Sequence, residues 1–229
     1  MEIQCTDACS FDDIYGKYFP FWNTMSDTDR DTFCRSSVSV RYPKGTMIHD
    51  GSECTGVIII RRGCLRVCML SDEGKEITLY RLYAGDICML SASCVLESIT
   101  FDVFVHAEEE SDCCVIGGCA FADVSERVPA VKIFALETAV NRFSDVMWVM
   151  QQILFMSMDK RLAIFLLDEI AKSGSDTIRM THEQIARYMV SAREVVTRML
   201  KYFASEKLVE VTRGGVTVLD KARLRALIQ

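Results

Sequence analysis

The order of apolar and polar positions changes character along this chain. Between residues 37 and 119 the apolar positions alternate, or run in short blocks, between turn signals. SVSVRY (37–42) alternates and stops at Pro43-Lys44-Gly45. GVIIIRRG (56–63) is a β-branched run closed by Gly63, and CLRVCML (64–70) continues it. EITLYRLY (76–83) resumes after the polar loop Ser71-Asp72-Glu73-Gly74-Lys75, and Ala84-Gly85-Asp86 turns again. ITFDVFVHAEEE (99–110) and SDCCVIGG (111–118) predict two more strands. Short strands separated by regular turns predict an antiparallel roll or barrel.

The period then lengthens. From Pro129 onward Leu136, Val140, Phe143, Met147, Met150, Leu154 and Ser157 fall at alternating spacings of four and three. All but the last are apolar, which is the seam of a coiled coil of about three heptads. Such a helix either packs on its own domain or pairs in parallel with a second copy, and the seam favours the pair. Trp148 and the methionines at 147, 150, 156 and 158 read as packing residues. KRLAIFLLDEIAK (160–172) predicts an amphipathic helix ending near Ser173-Gly174. Thr181 with Gln184 three residues on predicts a capping box, and Ser191 with Glu194 predicts a second. Apolar Ile185, Ala186 and Met189 lie between them. Two short, capped, tightly joined helices make a helix-turn-helix. KLVEVTRGGVTVLD (207–220) predicts a hairpin wing around Arg213-Gly214-Gly215.

The fold class expected is therefore α+β. It comprises an N-terminal antiparallel, jelly-roll-like β-roll over 1–128, a long dimerisation helix over 129–158, and a winged helix-turn-helix over 159–229.

Charge sharpens this division. The 229 residues carry a formal net charge of −6, which by itself argues against a polyanionic partner. Residues 1–158 hold 13 Lys and Arg against 23 Asp and Glu, whereas 159–229 hold 13 against 9. The balances are −10 and +4, so the C-terminal part is the one suited to a polyanion. All 11 cysteines lie between Cys5 and Cys119. No apolar run approaches the roughly 18 residues of a membrane span. The opening MEIQCTDACSFDD lacks an export pattern. The expectation is a cytoplasmic protein without a membrane partner, whose cysteines are thiols or ligands rather than a disulfide framework.

The helix beginning near Ser191 has two faces. Val196, Met199, Leu200 and Phe203 recur at i, i+3, i+4 and i+7 and belong to a core. Arg193, Glu194, Thr197 and Arg198 share the other side near the N-terminal end, the part of a recognition helix that enters the major groove. Arg can take guanine O6 and N7 together, and Glu can accept from cytosine N4. Glu194 between two arginines is also expected to hold their guanidinium groups in place. A solvated charged face is the plainer explanation, but the caps, the wing and the basic balance agree against it. His182, in the first turn of the preceding helix, is placed to approach a phosphate.

From Thr181 to Asp220 the chain, THEQIARYMVSAREVVTRMLKYFASEKLVEVTRGGVTVLD, resembles the winged helix-turn-helix of the Crp/Fnr family. The preceding roll, in RYPKGTMIHDGSECTGVIIIRRGCLRVCMLSDEGKEITLYRLYAGD, and the long helix match as well, so the resemblance covers roughly residues 20–229. It implies a homodimeric transcription regulator in which the roll senses an effector, the central helix pairs, and the C-terminal domain binds a palindromic double-stranded DNA operator. It also implies contact with RNA polymerase if the protein activates. Arg193, Glu194 and Arg198 match the family's reading motif, which implies a TGTGA-like half-site. Thr197 stands where subfamilies vary, and Ser191, Thr181 and His182 are further DNA-contact candidates.

In the cyclic-nucleotide branch of that family Gly-Glu and then Arg follow the Gly-Asp turn. Here Gly85-Asp86 is followed by Met89 and Leu90, and no Lys or Arg stands between Arg81 and Arg127 while nine acids do. A phosphate diester needs charge-assisted donors, so the effector is expected to be something other than cyclic AMP. Cys88, Met89, Leu90, Ser91, Ser93 and Cys94 occupy the segment instead. They read as small residues lining a roll, as a redox-active thiol pair, or as an apolar pocket with hydroxyls for a neutral small molecule. The family's oxygen-sensing branch holds an iron–sulfur cluster on clustered N-terminal cysteines. Here Cys5 and Cys9 are three residues apart, Cys34 and Cys54 are isolated, and no C-x2-C occurs. Haem, which some relatives bind, would need His49, His106, a methionine or a cysteine as axial ligand. No Ser-His-Asp, Cys-His or metal-ligand spacing supports an enzyme. A protein-interaction module that has lost its DNA role is the alternative from another class.

Overall fold

The structure is a computed structural model, and it describes residues 3–4, 8–51, 54–71, 76–92 and 102–229, with side chains from residue 11 onward. The chain divides into two compact units, residues 1–73 with 79–146, and residues 74–78 with 147–229.

In chain order the elements are β1 (Ile3–Gln4), α1 (Ala8–Tyr18), a 3-10 turn (Trp22–Thr24), α2 (Asp27–Arg35), β2 (Ser37–Tyr42), β3 (Met47–His49), β4 (Val57–Arg62), β5 (Cys64–Leu70), β6 (Glu76–Tyr83), β7 (Ile87–Cys88), β8 (Phe104–Ala107) and β9 (Ser111–Ile116). There follow α3 (Gly118–Arg127), α4 (Pro129–Phe155), α5 (Met158–Ser173), β10 (Thr177–Ile178), α6 (His182–Tyr188), α7 (Arg193–Ser205), β11 (Val209–Thr212), β12 (Gly215–Val218) and α8 (Lys221–Ile228).

The first unit is built on two sheets, ordered β1-β2-β9-β4-β7 and β3-β8-β5-β6. β9 pairs antiparallel with β2 on one side and β4 on the other, with Val115 opposite both Val38 and Ile58. The apolar run Val57-Ile58-Ile59-Ile60 is wholly buried, as expected of a strand with neighbours on both sides and cover on both faces. Gly63 turns β4 into β5 at φ +93, and a Cβ there would collide with the Ser111 hydroxyl, so no other residue fits. The strand expected over 99–110 is shorter: β8 covers Phe104–Ala107, and residues 99–101 lie outside the described part.

The pattern between residues 8 and 36 predicts no element in the reading above, yet two helices stand there. Phe11, Tyr15 and Phe19 recur every four residues and put three rings on one side of α1 and its end. They meet Trp22, Phe33 and Phe121 in an aromatic core, with Tyr15 edge-on to Trp22 at 4.9 Å and Phe33 stacked on Phe121 at 5.2 Å. The Tyr15 hydroxyl meets Ser37 Oγ and lies 3.2 Å from Cys114 Sγ, and the Trp22 Nε1–H donates to Asp12 Oδ1 at 3.0 Å, so both polar groups of these rings are satisfied.

α4 is one unbroken 27-residue helix starting at Pro129. Val131 and Ala135 are buried, whereas Leu136, Val140, Phe143, Met147, Met150 and Leu154 are all exposed, from 44% to 64%. Such a continuous apolar row in water is unusual for a finished surface.

The second unit packs α5, α6, α7 and α8 around Leu166, Ile185, Val196, Leu200 and Phe203. The predicted wing is present, with Val209 opposite Val218 and Thr212 opposite Gly215. Its third strand is β10, which pairs Ile178 with Val216. Gly174 ends α5 in the left-handed conformation, as the Ser173-Gly174 signal implies.

Candidate nucleic-acid interface

The amphipathic split of α7 puts its charged side in water. Val196, Leu200 and Phe203 are completely buried, Met199 is half-buried against the same core, and Arg193, Glu194 and Arg198 are exposed. Thr197 and Ser191 are half-buried, and Lys201, one turn beyond Thr197, extends the exposed basic row. Among the described residues none of Arg193, Glu194, Arg198 or Lys201 makes an ion pair within 4.0 Å. The expected clasp of Glu194 on its two arginines is therefore not formed. Arg193 is its immediate neighbour, and adjacent residues of a helix do not face each other, while an exposed i,i+4 pair with Arg198 gains too little to hold two long side chains together.

The joint between α6 and α7 differs from its expected form at one end. At α6 the capping box stands: Gln184 N donates to Thr181 Oγ1 (3.2 Å) and Thr181 N donates to Gln184 Oε1 (2.8 Å). At α7 it does not. The N-cap is Ala192, which makes no side-chain cap bond, and Glu194 sits at the second helical position instead of the third. Ser191 is held in the turn, where its N–H donates to the Ala186 carbonyl (2.9 Å). Val190 makes that turn with a φ of +49, a left-handed conformation rare for a β-branched residue. Arg161 of α5 closes it from below by donating to the Met189 carbonyl.

Across the joint His182 Nδ1 lies 2.9 Å from Thr197 Oγ1, tying the start of α6 to the exposed side of α7. Burial, and then the Arg193 and Lys201 cations, push the imidazole below its ordinary value of 6.5 and so favour its neutral form.

In the first unit Cys88 and Met89 are buried, Leu90 is half-buried, and Ser91 is buried with its hydroxyl donated to the Gly56 carbonyl (2.7 Å). Burial raises the Cys88 thiol. Ser93 and Cys94 lie outside the described residues. Sequence reasoning missed the cation brought to this region from far along the chain: Arg142 of α4 reaches Asp86 (3.0 Å) and Asp145 (3.0 Å) and lies over the Tyr80 ring at 5.3 Å. Arg66, buried in β5, is engaged by Glu108 (3.1 Å). Both arginines are thus already paired with carboxylates.

The thiols are mostly packing residues: Cys34, Cys64, Cys68, Cys88, Cys113 and Cys114 are buried thiols, and Cys119 is an exposed one. Cys54 departs from the expectation of thiols or ligands. It is disulfide-bonded, and it lies half-buried in the loop ahead of β4 and not in a strand's core. Cys5 and the Cys9 side chain lie outside the described part. Among the described residues no three His, Cys, Asp or Glu converge as metal ligands. His49, a haem-ligand candidate, is buried with Nδ1 2.9 Å from Thr55 Oγ1, and His106 is half-buried in β8 opposite Arg66. No helix among the described residues is long and apolar enough to cross a membrane.

Comparison with known proteins follows the same division. Residues 39–127 match the cyclic nucleotide-binding domain family, and residues 160–227 match the Crp-like helix-turn-helix domain family. A solved structure described as a Crp/Fnr-family transcriptional regulator of Eubacterium rectale is 43% identical. The match covers 92% of this chain and 98% of that one, with a TM-score of 0.88. The transcriptional activator FnrA of Stutzerimonas stutzeri is 25% identical over 99% of this chain and 93% of its own. The probable transcriptional regulator flp of Lacticaseibacillus casei is 23% identical over 88% and 92%. A roll of the cyclic-nucleotide-binding type, an exposed basic helix in a Crp-like helix-turn-helix, and this likeness over the whole chain make the protein a DNA-binding transcription regulator, not an enzyme, and it belongs to the Crp/Fnr family.

Proposed function

We propose that the protein acts as a cytoplasmic homodimer on a palindromic DNA operator, with residues 1–128 sensing an effector, 129–158 pairing the two copies and 159–229 reading DNA. Arg193, Glu194, Thr197 and Arg198 read base edges in the major groove of each half-site, while Ser191, Thr181 and His182 lie towards the backbone. The observation that carries this is the division of α7, whose Val196, Leu200 and Phe203 are fully buried and whose Arg193 and Arg198 stand exposed without ion-pair partners among the described residues. Free guanidinium groups on the N-terminal half of such a helix are what bidentate guanine reading requires.

Pairing through Leu136, Val140, Phe143, Met147, Met150 and Leu154 gives the exposed row of α4 its cover and sets two recognition helices for half-sites about 34 Å apart. The effector is a neutral small molecule or a redox change rather than cyclic AMP, because Arg66 and Arg142 already carry carboxylate partners and the 88–94 segment supplies no cation. It acts at the segment containing Cys88, Met89, Leu90, Ser91, Ser93 and Cys94 by favouring one arrangement of the helix pair over another.

Operator binding followed by fluorescence anisotropy tests the reading. Affinity should fall steeply with log salt as phosphate counterions are released. Arg198→Ala should cost about 1–3 kcal/mol on the cognate site. A mutant that binds like the parent would remove α7 from the interface. Millimolar cyclic AMP should change neither affinity nor thermal melting.

A further inference from the structure

A threonine hydroxyl has one proton to give and two lone pairs to offer, so it can read a hydrogen-bond donor or an acceptor on a base. Thr197 is not free to choose. Its Oγ1 lies 2.9 Å from His182 Nδ1, and whichever partner donates in that bond fixes what the hydroxyl shows on its other side. If Nδ1 carries a proton, the hydroxyl accepts there and turns its own proton outward. If Nδ1 is bare, the hydroxyl donates to the ring and only lone pairs remain outward.

We propose that His182 is a positioning residue that links backbone docking to base reading: its Nε2–H meets a phosphate oxygen, which leaves Nδ1 to take the Thr197 proton and makes Thr197 a pure acceptor. This rests on the assignment of α7 to the major groove. A phosphate oxygen can only accept, so the nitrogen facing it must hold the ring's single proton. In a neutral imidazole the other nitrogen is then an acceptor, and the bond made by one nitrogen sets the state of the other. The burial of His182 and the Arg193 and Lys201 cations beside it favour the neutral ring this relay needs. Thr197 should then select a base presenting a donor, adenine N6 or cytosine N4, over guanine or thymine at the position it meets.

The test is selection from a random-sequence duplex pool with the full-length protein, comparing parent, Thr197→Val, His182→Ala and His182→Lys. Thr197→Val identifies the base pair that Thr197 reads, by loss of preference there alone. At that position the parent should favour the donor-bearing base by about three- to tenfold, the range of one net hydrogen bond. His182→Ala frees the hydroxyl to turn and should bring the ratio to near one. His182→Lys puts a donor-only group beside Thr197 and should reverse the preference. A merely structural histidine would change overall affinity while leaving the base ratio alone. If the parent discriminates, Thr197→Val abolishes the discrimination, and both His182 variants keep the parental ratio, the relay is wrong and the DNA reading stands. If the parent enriches no sequence, the reading face itself fails and the relay falls with it.

Discussion

Arg142 of α4 and Asp86 of the turn between β6 and β7 form a hydrogen-bonded ion pair, Nη2 to Oδ1 at 3.0 Å, across 56 positions of sequence. The other Asp86 oxygen accepts the Tyr83 N–H at 2.8 Å, so one carboxylate holds both its own turn and the helix. Arg142→Met keeps the aliphatic stem over Tyr80 and removes the charge. It should lower unfolding stability by about 1–2 kcal/mol, less than a deeply buried pair because Asp86 is partly exposed. In an Asp86→Asn background the same change should cost less. Additive losses in urea titrations would show that the two residues are not coupled.

Val190 holds a left-handed backbone at φ +49 in the joint of the helix-turn-helix. Glycine adopts that conformation freely, at the cost of more entropy in the unfolded chain. Val190→Gly is expected to stabilise the protein by about 1 kcal/mol, seen as a higher melting temperature. A lower one would mean that contacts of the half-buried valine outweigh its strain.

Ala192 sits at the N-cap of α7 in extended conformation, φ −78 and ψ 143, without an accepting side chain. Ala192→Ser supplies the missing acceptor and should gain about 1 kcal/mol in chemical denaturation. The same serine moved one residue back, at 191, already fails to cap.

The His182 imidazole is held below its ordinary value of 6.5 by burial first and by Arg193 and Lys201 next. The folded state therefore takes up its proton less readily than the unfolded chain. Stability attributable to this group is full above pH 6.5 and declines as the pH falls below it. In His182→Asn the acid side of the melting profile should flatten relative to the parent, while the two profiles run parallel at neutral pH.

Thiol chemistry should follow burial. Burial, with Asp112 adding to it, pushes Cys113 up to about 12, and burial pushes Cys114 up to about 11, whereas Cys119 is exposed. Near neutral pH iodoacetamide should modify Cys119 before Cys113 and Cys114, which should stay unlabelled until urea unfolds the chain. No Lys or Arg separates the three, so fragment ions from tandem mass spectrometry of their shared peptide locate the label.

Features set by neighbours within four residues were legible in the sequence. The Thr181–Gln184 box, the buried stripe of α7 and the exposed row of α4 all follow from spacing alone. The second cap was misplaced because its position depends on the Val190 turn, which holds Ser191 on Ala186 and delays the helix by one residue. α1 carried a signal, the aromatic rings every four residues from Phe11 to Phe19, and α2 another, the Ser26 N-cap that accepts from Asp29 N. Strands β3 and β7, of three and two residues, are too short for any periodicity. Arg142 was invisible as part of the roll because its partner is chosen by tertiary packing, and the hydrogen bond from His182 to Thr197 joins two helices that pattern analysis treats separately.

Pairing through the exposed row of α4, as proposed, would also make concentration a variable of this protein. With Phe143 64% and Leu154 64% accessible in the single chain, any association that covers them is counted by mass action in the measured stability. A thermal melt should then shift upward with each dilution step reversed, and two laboratories working at different protein concentrations would record different melting temperatures for the same sequence. On the proposed pairing, the number of copies per volume in a cell would set how much of the protein is paired.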